Sequence, residues 1–283
     1  MPPPAPKLSH LRSRALVAVR GPDWRGFLQG LLTQDVDSLR AGEWRYGALL
    51  TPQGRLLFDL FLVGETGDAG VLLDVPSAER GAIAQRLSLY RLRAKVEIGA
   101  AEGGVFALWG ADAAGAGWAA DPRLPGLGWR AVGLTAPSAP GAQDADEDEY
   151  EAHRLALGAT DAWRDGLQDK SYPVEANLDL LNGVDFRKGC FVGQETTSRM
   201  KRRGQIRTRM LPIVFEGAAP AVGSEVLAGT LRAGEVTGGR DGRALALLRL
   251  DRLSAGPLTV DGRPVRAEPP DWMPMPAQGA EDD

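Results

Sequence analysis

Two apolar runs, Arg45 to Leu50 and Arg55 to Val63, stand on either side of Thr51-Pro52-Gln53-Gly54. Proline at the second turn position and glycine at the fourth set a tight reversal, so the runs are predicted to pair as an antiparallel hairpin. Around it, Ala15 to Val19, Val71 to Val75, Lys95 to Ile98, Val105 to Trp109 and Trp129 to Val132 predict further strands. One helix is predicted after Pro22-Asp23, where Asp23 can cap the start and Trp24, Phe27, Leu28, Leu31 and Leu32 share a face. It runs out into Thr33-Gln34-Asp35-Val36, which reads as an ordinary polar helix exit. A second helix is predicted from Ser77 to Tyr90, with Ile83, Leu87 and Tyr90 on one side. These elements predict an α+β unit around a largely antiparallel sheet. Asp59, between Phe58 and Leu60, faces either solvent or a cavity that holds a partner for it.

Ala136 to Glu149, with Pro137, Pro140, Gly141 and an acidic run, breaks this pattern and reads as a linker. A helical segment follows from Glu147 to about Leu157. Beyond Gly204 the pattern is all β: Arg207 to Phe215, Glu225 to Leu227, Gly234 to Thr237, Ala244 to Leu250, and a hairpin over Thr259 to Ala267 with its turn at Asp261-Gly262. That predicts a small barrel or sandwich. At 283 residues the chain has room for two or three domains.

The single cysteine, Cys190, excludes an internal disulfide and any zinc or cluster site built from this chain's thiolates alone. His10 and His153 lack metal-site spacing, so no stable metal is expected from this chain alone. No apolar stretch is long enough for a membrane span and the first residues carry no targeting pattern, so the expectation is a cytoplasmic protein with no membrane partner. The net charge of -4 conceals an uneven distribution: from Arg187 to Arg209 eight Lys or Arg face Glu195 alone. Arg199, Lys201, Arg202, Arg203, Arg207 and Arg209 form a candidate phosphate-binding stripe, or else a solvated basic face.

Cys190 lies at the centre of the most unusual stretch. Gly189 lets a partner approach the backbone, Gly193-Gln194-Glu195 opens a predicted helix through Arg202, and Arg187 and Lys188 flank the sulfur and favour its ionised form. A lone cysteine is also, commonly, a small buried apolar residue, and composition leaves both readings open.

Lys188-Gly189-Cys190-Phe191-Val192-Gly193-Gln194-Glu195 matches the Lys-Gly-Cys-aromatic-x-Gly-Gln-Glu signature, and the chain resembles the YgfZ family, folate-binding relatives of the glycine-cleavage T-protein that assist iron-sulfur enzymes. Phe27 to Val36, Tyr46 to Leu60 and Val184-Asp185-Phe186 agree with that family, and the resemblance extends from about Leu11 to Trp272. It implies an α+β, three-domain aminomethyltransferase (T-protein)-like fold around a central cavity, with a small C-terminal β-barrel. The implied boundaries are a discontinuous folate-binding domain over 8–50 and 147–205, a second α+β domain over 51–135, a linker over 136–146, and the barrel over 206–272. It further implies that tetrahydrofolate or a one-carbon derivative is bound, with Glu175 of Pro173-Val174-Glu175-Ala176 receiving the pterin through two parallel hydrogen bonds. Tyr150 falls where the family carries an aromatic near folate, and Arg14 where it carries another, here replaced by a basic residue.

The implied function is a folate-binding accessory protein that supports iron-sulfur cluster assembly or repair and iron-sulfur-dependent tRNA modification. Cys190 would be its functional thiol, and its partners would be folate and iron-sulfur client or assembly proteins, with direct tRNA contact ranked last. The alternative is a folate-dependent one-carbon transferase. T-proteins place an aspartate shortly after the third strand, whereas Asp74 to Gly81 puts glycine there, so Asp59 or Asp74 would have to act as general base.

Overall fold

The computed structural model describes residues 5–202 and 206–275. The predicted hairpin is formed by β3 (Trp44–Leu50) and β4 (Leu56–Gly64), preceded by β1 (Lys7–His10), β2 (Arg14–Arg20) and α1 (Trp24–Gln29). β5 (Gly70–Pro76), α2 (Arg80–Tyr90) and β6 (Glu97–Ala101) complete the first sheet, in the order β3-β4-β5-β2-β6. α1 and α2 cover one face of it, and Trp24, Leu28, Leu32, Ile83 and Leu87 pack there on Val17, Leu60 and Leu62. On the opposite face Tyr46, Leu50 and Phe61 meet Leu178, Leu181 and Met210. β3 and β4 are thus covered on both sides. That is why they read as continuous apolar runs and not as alternating ones.

The expected boundary between residues 50 and 51 is corrected by this hairpin: pairing from Trp44↔Val63 to Leu50↔Leu56 runs across it, so both sides belong to one sheet. α1 is also shorter than its apolar pattern. It stops at Gln29, and Leu31 and Leu32 are buried beyond its end. Asp23 makes no side-chain cap and instead accepts the backbone N–H of Lys95.

The second sheet has the order β10-β1-β7-β9-β8, with β7 (Gly104–Trp109), β8 (Ala119–Ala120), β9 (Trp129–Gly133) and β10 (Gln143–Asp144). β10 lies in the stretch read as a linker, where it pairs parallel with β1. α3 (Glu147–Ala156) follows, and Asp146 caps it by accepting the N–H of Glu149. The chain then crosses back to the first sheet. Thr33, Leu56 and Asp169 exchange backbone bonds with Asp185, Ser171 and Leu56 respectively.

α4 (Gln194–Arg202) leads to the C-terminal unit, which is a closed barrel in the order β11-β14-β13-β12-β15-β16. Its strands are β11 (Thr208–Val214), β12 (Glu225–Ala228), β13 (Leu231–Arg240), β14 (Arg243–Arg249), β15 (Leu258–Val260) and β16 (Arg263–Ala267). Pairing of β11 with β16 through Ile213↔Ala267 closes it.

Gly64 ends β4 where the chain crosses itself: a Cβ there would lie 2.1 Å from the carbonyl oxygen of Arg40. Gly64→Ala is expected to cost at least about 2 kcal/mol, because backbone would have to move. Gly26→Ala, in α1 with open space around it, should be neutral or gain up to about 1 kcal/mol. Urea midpoints at constant slope measure the difference.

Candidate functional site

The signature stretch forms a loop that ends in α4, and the structure decides between the two readings of its thiol: Cys190 is exposed. The loop is seated by glycines. Gly193 has φ +83, and a Cβ on it would lie 2.7 Å from the carbonyl oxygen of Thr51 in the hairpin turn. Gly54 of that turn is equally close to Gly193 and Thr196. The turn and the loop therefore meet backbone to backbone, an approach that only glycine permits at those φ values. Phe191 is buried in the core shared with Tyr46 and Leu178, and Val192 N–H donates to the carbonyl of Gly30.

Lys188 does not lie against the sulfur as expected from its position. Its Nζ donates to the carbonyl oxygens of Gln29, Leu32 and Gln34 at 2.7, 2.6 and 2.9 Å. These carbonyls belong to the end and exit of α1, where unsatisfied acceptors collect and a cation is favoured. Burial pushes the Lys188 ammonium down to about 8, against the nearby charges of Asp35, Asp37 and Asp185, which favour its charged form. Arg187 points the other way and is exposed, 3.9 Å from Asp185. Lys188 is thus a clamp that fixes the loop from behind.

The exit of α1 is correspondingly more than an ordinary helix end. Thr33 Oγ1 donates to the carbonyl of Gly183 and accepts from Ala48 N–H, and Gln34 Nε2 donates to the carbonyl of Asn182. Burial opposes ionisation of Asp35, but hydrogen bonds from Ser38, Gln29 and Arg45 outweigh it and hold the carboxyl down to about 2. Asp35 so orders the segment whose carbonyls hold Lys188.

Glu175 is half-buried. Its carboxylate accepts Tyr172 N–H at 2.9 Å, Arg55 stacks over the ring of Tyr172, and burial pushes Glu175 upward. Tyr150 and Arg14 lie elsewhere, on a hollow that Phe61, Arg123, Arg130 and Arg154 also line. That hollow offers about 20 Å³, room for a water molecule and far below the several hundred Å³ of a cofactor pocket. Of the three residues implied to bind folate, Tyr150 and Arg14 thus share one small hollow, and Glu175 is not part of its lining.

A charge network occupies the centre. Arg14 Nε donates to Asp74 at 2.7 Å and Arg130 to the other oxygen of the same carboxylate at 2.5 Å. Arg123 forms a forked pair with Asp121 and donates to Tyr150 Oη. The guanidinium of Arg130 lies 4.0 Å from the ring centroid of Phe61. Each carboxylate oxygen of Asp74 thus carries one arginine, and the carboxylate is fully buried. Asp59 faces this interior and accepts Tyr46 O–H at 2.8 Å. Burial and nearby Asp161 raise it, and one of its oxygens has no partner. Residue spacing did not reveal this network, since its members are scattered from Arg14 to Tyr150. The available signal was charge inside apolar strands, Asp74 in β5 and Arg130 in β9.

In the basic stripe, Arg199, Arg202 and Arg207 are exposed. Lys201 pairs with Asp179 at 3.0 Å. Arg209 is corrected: it is buried and bonds Asp179, Asn177 and the carbonyl of Val174. Arg203 lies outside the described residues. Gly189, Gln194 and Glu195 follow the loop surface, with Glu195 exposed in the first turn of α4. Among the described residues no group of three His, Cys, Asp or Glu is placed to hold a metal ion.

Comparison with known proteins places this geometry. The human protein "Iron-sulfur cluster assembly factor IBA57, mitochondrial" is 34% identical over an alignment of 304 positions, which takes in 93% of this chain and 84% of the relative. The chain belongs to the IBA57 family. The Neurospora crassa IBA57 homolog, also named mitochondrial, is 34% identical over 243 positions; the chain spans 55% of that longer relative. Residues 207–275 match the family described as "CAF17, C-terminal beta-barrel domain". Aminomethyltransferase T of the glycine cleavage system from Bartonella henselae superposes with a TM-score of 0.74 over 96% of this chain and 87% of its own, at 16% identity, which shows the three-part fold. The resemblance read from the signature is thus refined: the relatives carry the name IBA57 and not YgfZ. The expected cytoplasmic location is overturned by the same relatives, both named as mitochondrial proteins.

Lys188→Met leaves three carbonyls without their donor and is expected to cost about 2–3 kcal/mol, whereas Arg187→Met should change stability by less than about 0.5 kcal/mol. Chemical unfolding of the two variants compares them. The low Asp35 value fixes the sign of an acid effect. Because its folded value lies below the unfolded one of about 3.9, its contribution is present above pH 4 and is lost as pH falls toward 2. A loss of about 1–2 kcal/mol is expected over that window in the wild type and should be absent in Asp35→Asn.

Proposed function

We propose that this chain serves iron-sulfur cluster assembly, the role named for its IBA57 relatives, by offering Cys190 as one thiolate ligand to a cluster passing between other proteins. The observation that carries this reading is the placement of the sole cysteine, exposed on a loop whose backbone Lys188 holds to the exit of α1. A cluster ordinarily takes four protein ligands. One thiolate therefore secures it only while a partner supplies the others, which suits a transient ligand and not a resident centre. On this reading the chain's own residues set the position of the sulfur: Gly193 seats the loop against the hairpin turn, Phe191 anchors it in the core, and Lys188 prevents it from lifting. Transfer then proceeds by exchange of thiolate ligands, with the cluster as cargo.

We further propose that the chain works without a bound folate, supported by the filled centre, where paired arginines and carboxylates take the volume a pterin would need. Any effect on tRNA modification would follow from supplying clusters to modifying enzymes, and not from contact with tRNA.

In cells lacking the chain, Cys190→Ala is expected to leave [4Fe-4S] enzyme activity at the level of the deletion while the purified variant keeps its unfolding midpoint. Full restoration of activity would remove the thiol from the mechanism. Titration with tetrahydrofolate should give no saturable fluorescence change up to millimolar ligand; saturable binding that Glu175→Ala weakens tenfold, about 1.4 kcal/mol, would restore the folate reading.

A further inference from the structure

A second surface, independent of the cysteine loop, lies at the far edge of the first sheet. β6 is the last strand there. β2 pairs with one side of it, from Leu16↔Ala101 to Arg20↔Glu97, and no strand pairs with its other side among the described residues. An antiparallel strand directs half its N–H and C=O groups away from each neighbour. β6 therefore carries a row of backbone donors and acceptors that no other strand meets.

Beyond Ala101 the chain passes into the second sheet, where Gly104 at the start of β7 pairs with Gly133, and Leu134 and Thr135 follow as a bend outside any strand. Natural sheets usually guard such an edge with proline, inward charge or a bulge. β6 reads Glu-Ile-Gly-Ala-Ala, without proline, and Glu97, Gly99 and Ala100 are exposed.

Exposed leucines and a run of cations lie near the edge, with Glu97 in β6 and Glu102 beyond its end as the carboxylates beside it. Leu134 is 81% exposed at one end, and Leu89 and Leu92 are 66% and 90% exposed at the end of α2. Leu92 has φ 44, a left-handed conformation that costs a leucine about 1–2 kcal/mol, and it leaves its side chain in water. Arg80, Arg86, Arg91, Arg93 and Lys95 follow one another through α2 and the turn into β6. The strand arginines Arg14, Arg20 and Arg45 of this sheet pair with carboxylates. Arg80, Arg86, Arg91, Arg93 and Lys95 enter no ion pair among the described residues, as is also true of Arg12, Arg40 and Arg55. Together these are the parts of a strand-addition site: an open ladder, exposed apolar residues at its ends, and cations awaiting acids.

We propose that β6 is a docking edge for a partner protein, which adds an extended acidic segment beside it. The carboxylates of that segment reach Arg91, Arg93 and Lys95, and its apolar side chains cover Leu92 and Leu134. An anionic lipid surface would use the same cations and leucines but would leave the ladder unpaired, so the open backbone row favours a protein strand.

The test uses the full chain and a labelled peptide of about eight residues, alternating valine and glutamate and blocked at both ends. Anisotropy at low salt is expected to show saturable binding. The double variant Arg91→Glu/Arg93→Glu should weaken it at least about tenfold, as should N-methylation of alternate peptide nitrogens, which removes the ladder donors. Leu92→Asp should weaken it as well. All three substituted residues are exposed, and an unchanged far-UV spectrum checks that each variant is folded. Absence of saturable binding to the folded chain overturns the proposal. So does binding that ignores backbone methylation, or retention on vesicles of phosphatidylcholine and phosphatidylglycerol that depends on Arg91 and Arg93 in place of peptide binding.

Discussion

One ammonium group and three carbonyl oxygens hold the candidate site in place. Lys188 lies two residues before the cysteine, yet its charge is spent on the end of α1, whose acceptors have no partners within the helix. The bond set joins sequence positions about 155 residues apart, and it gives the Lys-Gly-Cys order a physical meaning. The cation turns inward and the exposed sulfur turns outward. Asp35 and Thr33 stiffen the other side of the joint, so the loop and the α1 exit form one unit.

The centre of the molecule has a different character. There the chain packs Arg14, Arg123 and Arg130 against Asp74, Asp121 and Phe61. Burying ions is costly, and removing one member of such a set leaves an uncompensated charge. Forked geometry and stacking on an aromatic ring offset much of that cost. The same interactions that satisfy the arginines also occupy the carboxylates.

Much of this architecture was legible in the sequence. The Pro-Gln-Gly turn fixed the β3–β4 hairpin, the spacing of Ile83 and Leu87 gave α2, and alternation after Arg207 gave a β unit. Local patterns do not encode which residues meet across long separations, and each miss has that origin. The direction of Lys188 depends on carbonyls of a helix end more than a hundred residues earlier. Arg209 looked like part of a solvated stripe because its partners, Asp179 and Asn177, are set by the fold. The division at residue 50 failed because a hairpin is a local object whose sheet is not. Exposure of Cys190 followed from the same joint, which no composition rule could supply.

Hydrogen–deuterium exchange across residues 186–193, compared between the wild type and Lys188→Met, tests the central claim most directly. The clamp predicts slow exchange at Val192, whose N–H is bonded to Gly30, and a loss of that protection in the variant while the barrel strands keep theirs. Equal protection of the loop in both proteins would show that something other than the Lys188 cage holds the thiol in place, and would contradict the account.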